Sequence, residues 1–161
     1  MPRRLSMGRP RSLAVDGLSI RQACERDSDF VFAVKEAAFR EYAEQVWGWH
    51  GIDQRELHDL RFASQDVRII RFQKTDVGYF ATSSTADAVR VHQIHILPEY
   101  QRKGLGTACM RVIIRDANAQ DKAVRLQVLK INTRAIVFYR RLGFKIVDED
   151  AIHLQMESSR D

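Results

Sequence analysis

The sequence contains few of the features that mark specialised protein classes. It has 2 cysteines and 3 prolines in 161 residues, and its apolar runs are far shorter than the roughly 20 residues of a membrane-spanning helix. No apolar signal-peptide centre and no repeat of 20–50 residues is found in it. These absences argue against a disulfide-rich secreted scaffold, a membrane protein and a repeat array, and they predict a cytoplasmic location.

The charged residues are unevenly distributed. The formal net charge is +5, whereas residues 98–145 alone carry 11 basic and 3 acidic side chains. Residues 1–16 contain four arginines and two of the three prolines, and we expect them to form a flexible basic leader. Residues 17–161 are then one domain, with an anionic ligand near 98–145.

Hydrophobic periodicity predicts an α/β (α+β) fold with the element order β-α-α-β-β-β-α-β-α-β-β. The first helix has apolar residues at helical spacing (Phe30, Ala33, Val34, Ala37, Ala38, Tyr42) and a cap at Asp27 or Ser28, and Asp53 caps the second. Lys74, Thr75 and Asp76 form a hairpin connection. The predicted strands cover 18–24, 67–72, 78–83, 88–97, 124–129, 144–147 and 152–156, and the helices cover 30–46, 54–62, 104–119 and the stretch between Asn132 and Gly143.

One segment indicates an anion-binding turn. A strand stops at Pro98, and the basic, glycine-spaced stretch Gln101-Arg102-Lys103-Gly104-Leu105-Gly106 leads directly into a helix. Unpaired N–H groups at a helix N-terminus, together with glycines that let the backbone approach closely, bind phosphate well. The segment has neither the Gly-Lys-Ser/Thr ending of a Walker A loop nor the third glycine of a dinucleotide fingerprint.

These residues resemble the Gln/Arg-x-x-Gly-x-Gly/Ala motif of the GNAT superfamily of acyl-CoA-dependent N-acyltransferases. A second similarity follows downstream, where a strand ends at Asn132 and a helix bearing Tyr139 leads into Gly143-Phe144. The resemblance spans about residues 18–156 and is strong over 91–145. It implies a mixed, mostly antiparallel sheet of six to seven strands with helices on both faces.

The resemblance also implies where the acyl donor, acetyl-CoA, is bound. The parallel strands 88–97 and 124–129 would splay apart, with the pantetheine arm between them and the pyrophosphate on the amides of 102–107. The residues implied in binding acetyl-CoA are Ile94, His95, Ile96, Gln101, Arg102, Lys103, Gly104, Leu105, Gly106, Thr107, Asn132 and Tyr139.

The catalytic residues implied by the resemblance are Tyr139, as the acid that protonates the CoA sulfur, and His92, as the base that accepts the amine proton. Tyr139 could instead be a plain core aromatic residue. Other members use a glutamate where this chain has Arg90, and a water chain could replace the base. Trp47, Trp49 and His50 are expected beside the acceptor pocket.

No metal site is predicted. His92 and His95, three residues apart on a strand, are expected to point to opposite faces of the sheet, so they could not bind one ion together. Cys109 is expected to be inert core and Cys24 to be structural rather than nucleophilic.

The sequence therefore predicts an N-acetyltransferase that moves an acetyl group from acetyl-CoA to a primary amine of a small molecule or peptide. An alternative is a non-catalytic acyl-CoA-binding module of the same fold. A nucleic-acid-binding domain has little support, since no recognition helix or aromatic interleaving is found. Whether the chain forms a homodimer is left open.

Overall fold

A computed structural model of the chain describes residues 15–48 and 51–158, and only the backbone of 51–53. Two 3-10 turns, Glu25–Asp27 and Pro98–Tyr100, accompany the main elements. The helices are α1 (Ser28–Val46), α2 (Gly51–Ser64), α3 (Leu105–Ala119) and α4 (Thr133–Arg141). The strands are β1 (Leu18–Gln22), β2 (Asp66–Phe72), β3 (Thr75–Ser84), β4 (Ala88–Ile96), β5 (Ala123–Leu129), β6 (Lys145–Glu149) and β7 (His153–Glu157).

The seven strands form one sheet in the order β1-β2-β3-β4-β5-β7-β6. Every neighbouring pair is antiparallel except β4 and β5, which are parallel and are joined through α3. This is the mixed, mostly antiparallel α/β architecture that the sequence predicts, with each predicted element present and its ends shifted by a few residues.

Apolar cores lie on both faces of the sheet. On one face, α3 and α4 cover a large cluster that includes Val91, Leu105, Cys109 and Val124. On the other face, α1 packs over a smaller cluster around Val34, Ile69 and Tyr79. The buried side of α1 carries Val31, Val34 and Lys35, whereas Ala33 and Ala37 of the predicted apolar stripe are exposed. The predicted helix was thus correct, and its apolar stripe was correct at Val34 but wrong at Ala33 and Ala37.

The hairpin between β2 and β3 is tighter than predicted. Phe72 pairs with Thr75, so the turn consists of Gln73 and Lys74 alone, with φ of 50° and 68°. Two positive φ angles are those of a two-residue turn whose twist matches the flanking strands. The predicted connection at 74–76 was wrong because Thr75 and Asp76 already belong to β3.

The side-chain caps predicted for the first two helices were also wrong. Asp27 precedes α1, but its carboxylate makes no cap to that helix; it accepts hydrogen bonds from Arg21 and from the Cys24 N–H at 2.8 Å. The Arg21 guanidinium holds the pKa of this carboxyl well below its usual range. Ser28 is the first residue of α1, and Asp53 lies within α2, which begins at Gly51.

The predicted basic leader lies almost entirely in residues 1–14, outside the described residues, and it stays a prediction. Val15, directly after that stretch, packs against the larger core. Within the part of the chain that the structure describes, no helix is long and apolar enough to cross a membrane.

Candidate active site

A gap opens in the middle of the sheet between β4 and β5. The two strands are paired only from Ala88–Ala123 to Val91–Leu126. At this point β4 contains a register irregularity, since Val91 pairs with Thr82 and Gln93 with Ala81, which leaves His92 as an extra residue. Beyond it, residues 92–96 have no strand partner on the β5 side within the described chain, so the edge of β4 is open there.

The backbone of Ile94 and Ile96 faces this gap. Leu97 donates its N–H to Val77 on β3 at 2.9 Å, and backbone groups alternate in direction along a strand. Ile94 and Ile96 therefore direct their N–H and C=O groups toward β5, while those of His95 face β3. The Gln101 side chain already donates from Nε2 to the Ile96 carbonyl at 2.8 Å, so the two N–H groups and the Ile94 carbonyl are the remaining binding elements.

The turn before α3 presents a row of unpaired amides at one end of the gap. Arg102 and Gly104 both have positive φ, 62° and 78°, which turns successive N–H groups to the same side. No side chain caps α3, and no described residue accepts a hydrogen bond from the amides of 102–107. Such a turn binds anions through backbone groups, and the helix dipole adds positive charge.

The gap and this turn form a cavity of about 590 Å³, which we call the cradle cleft. Of the twelve residues predicted to bind acetyl-CoA, eleven line it; Lys103 is the exception. Arg134 and Arg141 of α4 line it as well and were missed by the sequence analysis. Arg134 lies two residues after Asn132 and Arg141 two residues after Tyr139, outside the recognisable motif positions, so only their charge could have indicated them.

A second cavity, of about 530 Å³, lies between α1, α2 and the sheet, and we call it the α1–α2 cavity. Tyr139, His95 and Asn132 line both cavities, so they lie where the two meet. Asn132 Oδ1 accepts a hydrogen bond from the Ala135 N–H at 3.2 Å, which caps α4. Burial raises the pKa of the Tyr139 hydroxyl to about 12, so this group stays protonated at neutral pH.

His92 lines the α1–α2 cavity but not the cradle cleft. Its Nε2 and the Ser83 hydroxyl are 2.7 Å apart, which fixes the ring. Burial, with the charges of Arg90 and Arg61, lowers the pKa of His92 below its usual value of 6.5. The ring is therefore neutral at neutral pH, the state in which a histidine accepts a proton.

His95 lies on the same face of the sheet as His92, and the prediction of opposite faces was wrong. The extra residue in β4 interrupts the alternation of side chains between the two faces of the sheet. Both rings therefore point to the same face and line the α1–α2 cavity. Burial, followed by the charge of Lys35, lowers the pKa of His95 to about 3. Among the described residues, no group of three His, Cys, Asp or Glu side chains is arranged to hold a metal ion.

Several side chains at the edge of the α1–α2 cavity are apolar or aromatic. Trp47 lies with its ring centroid 5.8 Å from that of His153, and Leu57 of α2 lines the same wall. Trp47 therefore lies at the edge of this cavity, and its role beside an acceptor stays a prediction, whereas Trp49 and His50 lie outside the described residues. Cys109 is buried in the α3 core, where burial raises its pKa to about 12, and Cys24 is exposed.

Lys35 of α1 and Arg61 of α2 were missed by the sequence analysis and line the α1–α2 cavity. Lys35 is only 4% exposed, and burial lowers its pKa from 10.5 to about 8. The sequence signal for a buried Lys35 was its helical spacing from Val31 and Ala38, which places it on the same side of α1. The stripe assigned to α1 was rotated away from that position, so the signal was not recognised.

Comparisons with known proteins agree with this geometry. The family described as acetyltransferase (GNAT) domain matches residues 62–146, just over half of the chain. The mycothiol acetyltransferase of Mycolicibacterium vanbaalenii is 28% identical over 155 residues, which cover 89% of this chain and 51% of that protein. The ribosomal protein bS18-alanine N-acetyltransferase of Escherichia coli is 36% identical over 89 residues, which cover 52% of this chain and 60% of that protein.

The fold also matches solved structures. The PaiA N-acetyltransferase of Thermoplasma acidophilum, solved in complex with coenzyme A, superimposes with a TM-score of 0.73 at 19% identity, over 88% of this chain and 98% of that one. At this identity the match shows the fold alone. The chain spans only about half to three fifths of the length of the two curated relatives named above.

Proposed function

This chain belongs to the GNAT acetyltransferase family, and on that premise we propose that it transfers the acetyl group of acetyl-CoA to a primary amine by direct attack in a ternary complex. The observation that carries the proposal is the position of Tyr139. Its protonated hydroxyl lies where the cradle cleft, with its unpaired amides, meets a second cavity large enough for an acceptor.

The residues of the cradle cleft fit acetyl-CoA, which brings the acetyl group as a thioester. The amides of 102–107 would bind its pyrophosphate, with Arg134 and Arg141 adding positive charge. The N–H groups of Ile94 and Ile96 face the gap that the pantetheine arm would fill. An N–H directed at the thioester oxygen stabilises the negative charge that develops there during attack.

Two proton transfers accompany the reaction. As the amine nitrogen bonds to the carbonyl carbon and the carbon–sulfur bond breaks, Tyr139 would donate its hydroxyl proton to the departing sulfur. His92 would accept a proton from the attacking amine. His95 also lies at the junction, but with a pKa of about 3 it is too weak a base for this task. The cytosol as the location and a peptide or small molecule as the acceptor belong to the same proposal.

Arg90 favours a second candidate, an acyl-CoA-binding module without transferase activity. It is exposed on the wall of the α1–α2 cavity, at the position where other family members carry a glutamate base. Among the described residues, no carboxylate lines that cavity, so a module of this kind would keep the cradle cleft and lack the base.

Calorimetry with acetyl-CoA and CoA, followed by measurement of released CoA thiol against a broad panel of amines, tests both candidates. Binding with turnover of at least one amine is the expected result. Binding of CoA without turnover of any amine would instead favour the binding module. Absence of binding at high micromolar ligand would overturn both.

A further inference from the structure

The charged groups of the α1–α2 cavity all have the same sign. Lys35, Arg61 and Arg90 line it, together with three histidines, and no Asp or Glu of the described chain does so. The remaining polar groups that line it are amides and the Tyr139 hydroxyl. A cavity of this composition favours an anion over a cation.

Lys35 is the clearest sign that a ligand is missing. The residue as a whole is only 4% exposed, and no described residue forms a hydrogen bond or an ion pair with its ammonium, which is directed into the α1–α2 cavity that it lines. A buried ammonium without a partner is costly, and proteins keep one where an anion binds or where chemistry needs it. The charge of Arg61 repels this ammonium and, after burial, contributes to its lowered pKa.

A small pocket of about 10 Å³ beneath α2 adjoins the α1–α2 cavity. Four polar residues line both spaces, and we call the part of the small pocket that they line the anion pocket. The residues that line both spaces and make up the anion pocket are Lys35, Arg61, Gln65 and Gln93. Gln93 is oriented by Tyr79, whose hydroxyl donates to Gln93 Oε1 at 2.6 Å. Burial raises the pKa of Tyr79 far above its usual value, so it remains a donor, and the amide N–H groups of Gln93 are left for a ligand.

From this arrangement we propose that the acceptor is a small amine that also carries a terminal carboxylate, an amino acid, and that the anion pocket binds this carboxylate. The proposal rests on the proposed acetyl transfer, because it names the substrate class of that reaction. The carboxylate would lie between α1 and α2 while the amine extends toward Tyr139. Polyamines, which carry positive charge at both ends, would be repelled.

The size of the small pocket favours a carboxylate at the end of the acceptor molecule over one within a longer chain. About 10 Å³ accommodates roughly one water-sized group, so an oxygen of the carboxylate can enter but a continuing chain cannot. The apolar wall formed by Trp47 and Leu57 then contacts the carbon chain between the two ends.

Matched pairs of amines test the proposal. Glycine, β-alanine and 5-aminovalerate are compared with glycinamide, β-alaninamide and cadaverine, and phosphoethanolamine with ethanolamine, by the rate of CoA release. We expect kcat/KM at least tenfold higher for the carboxylate in one or more pairs. A preference for the phosphate alone, or for the neutral or cationic member of every pair, would overturn the assignment.

Substitutions in the anion pocket test whether this pocket causes the preference for the carboxylate. Lys35→Met and Arg61→Gln are expected to raise KM for the preferred acid tenfold or more, with kcat little changed and with the amide partner unaffected. Arg115→Gln, which removes an exposed arginine paired with Asp116 on α3, is the matched control and should change neither. Equal losses for the acid and the amide would indicate a structural role and overturn the proposal. Thermal unfolding shows that each variant is folded.

A binding measurement separates this proposal from the proposed function. N-acetyl-β-alanine and N-acetyl-β-alaninamide are titrated into the CoA-loaded protein, which requires no turnover. Tighter binding of the acid, lost in Lys35→Met, supports the anion pocket even if no amine is acetylated. Equal binding of the two, in a protein that does acetylate amines, leaves the transferase proposal standing and overturns this one.

Discussion

The cradle cleft and the α1–α2 cavity share a wall at Tyr139 but are built differently. The cradle cleft takes most of its lining from two stretches, 94–107 and 132–141, and its positive character comes largely from backbone amides. The α1–α2 cavity draws on α1, α2, β4, β5 and β7, and its charge comes from side chains. A site made of backbone leaves a local motif, whereas a site made of side chains depends on how distant elements pack.

The Tyr139→Phe substitution tests the point where the two spaces meet. Because the hydroxyl is the proposed proton donor, kcat should fall roughly a thousandfold, within the range of general acid catalysis. The dissociation constant for CoA should stay within about twofold, since the aromatic ring still fills its place. Steady-state kinetics and calorimetry measure the two quantities, and an unchanged kcat would exclude Tyr139 as the acid.

The Lys35→Met substitution tests whether the buried ammonium in the α1–α2 cavity lowers the stability of the fold. The unfolded chain binds more protons than the folded one between pH 8 and 10.5, because the Lys35 pKa is lowered from 10.5 to about 8. The buried Lys35 ammonium therefore lowers the free energy of unfolding by about 3 kcal/mol below about pH 8. This destabilisation disappears as the pH rises from 8 to 10.5.

Lys35→Met should accordingly raise the free energy of unfolding at pH 7 and have little effect above pH 10.5. Urea denaturation at several pH values measures it. A variant less stable than the wild type at pH 7 would show that the buried ammonium is compensated within the protein, contrary to our interpretation of the cavity.

The His92→Gln substitution tests the acceptor side of the reaction. With its pKa lowered below 6.5, wild-type His92 should produce an acid limb in the pH profile of kcat that lies below pH 6.5. The variant should lose this limb and about a hundredfold in kcat at neutral pH. Ser83→Ala, which removes only the hydroxyl beside Nε2, is the control and should have a smaller effect. An acid limb retained in the glutamine variant would assign the proton to another group or to water.

The smallest expected effect concerns the backbone site. A Cβ at Gly106 would lie 3.5 Å from Phe138 Cζ and 3.7 Å from Ile96 Cδ1, which are ordinary contacts, so Gly106→Ala should fold normally. The added methyl group contacts Phe138 and Ile96, and the motif itself admits alanine at this position, so CoA affinity should change by no more than about threefold, or about 0.7 kcal/mol.

Gly143→Ala differs from Gly106→Ala in its expected effect on stability. Gly143 has a φ of 93° and does not line the cradle cleft, so alanine should lower stability by about 1 kcal/mol and leave CoA affinity unchanged. Calorimetry and thermal unfolding of both variants make the comparison. A CoA affinity lowered tenfold or more in Gly106→Ala would contradict this expectation and show that the turn has no room for a methyl group beside the ligand.

The cradle cleft could be predicted from the sequence, whereas most of the α1–α2 cavity could not. Pro98, the glycine-spaced turn and the Asn132-to-Gly143 helix placed the cradle cleft, because each acts through neighbouring residues in the chain. The inward face of α1 was not predictable with the same certainty, since an alanine-rich helix offers two apolar faces. The direction of His95 was missed because the extra residue at His92 depends on pairing with β3.

The sequence by itself determined the order of the elements, the turn that presents backbone amides, and the family to which the chain is similar. Only the tertiary structure decided that the separation of β4 and β5 begins directly after Val91, that His92 and His95 share one face, and that Lys35 and Arg61 line one cavity without a carboxylate. The glycine-spaced turn and the start of α3 are set by local backbone preferences. The meeting of unpaired side chains is set by packing between elements distant in the chain, which no local pattern encodes.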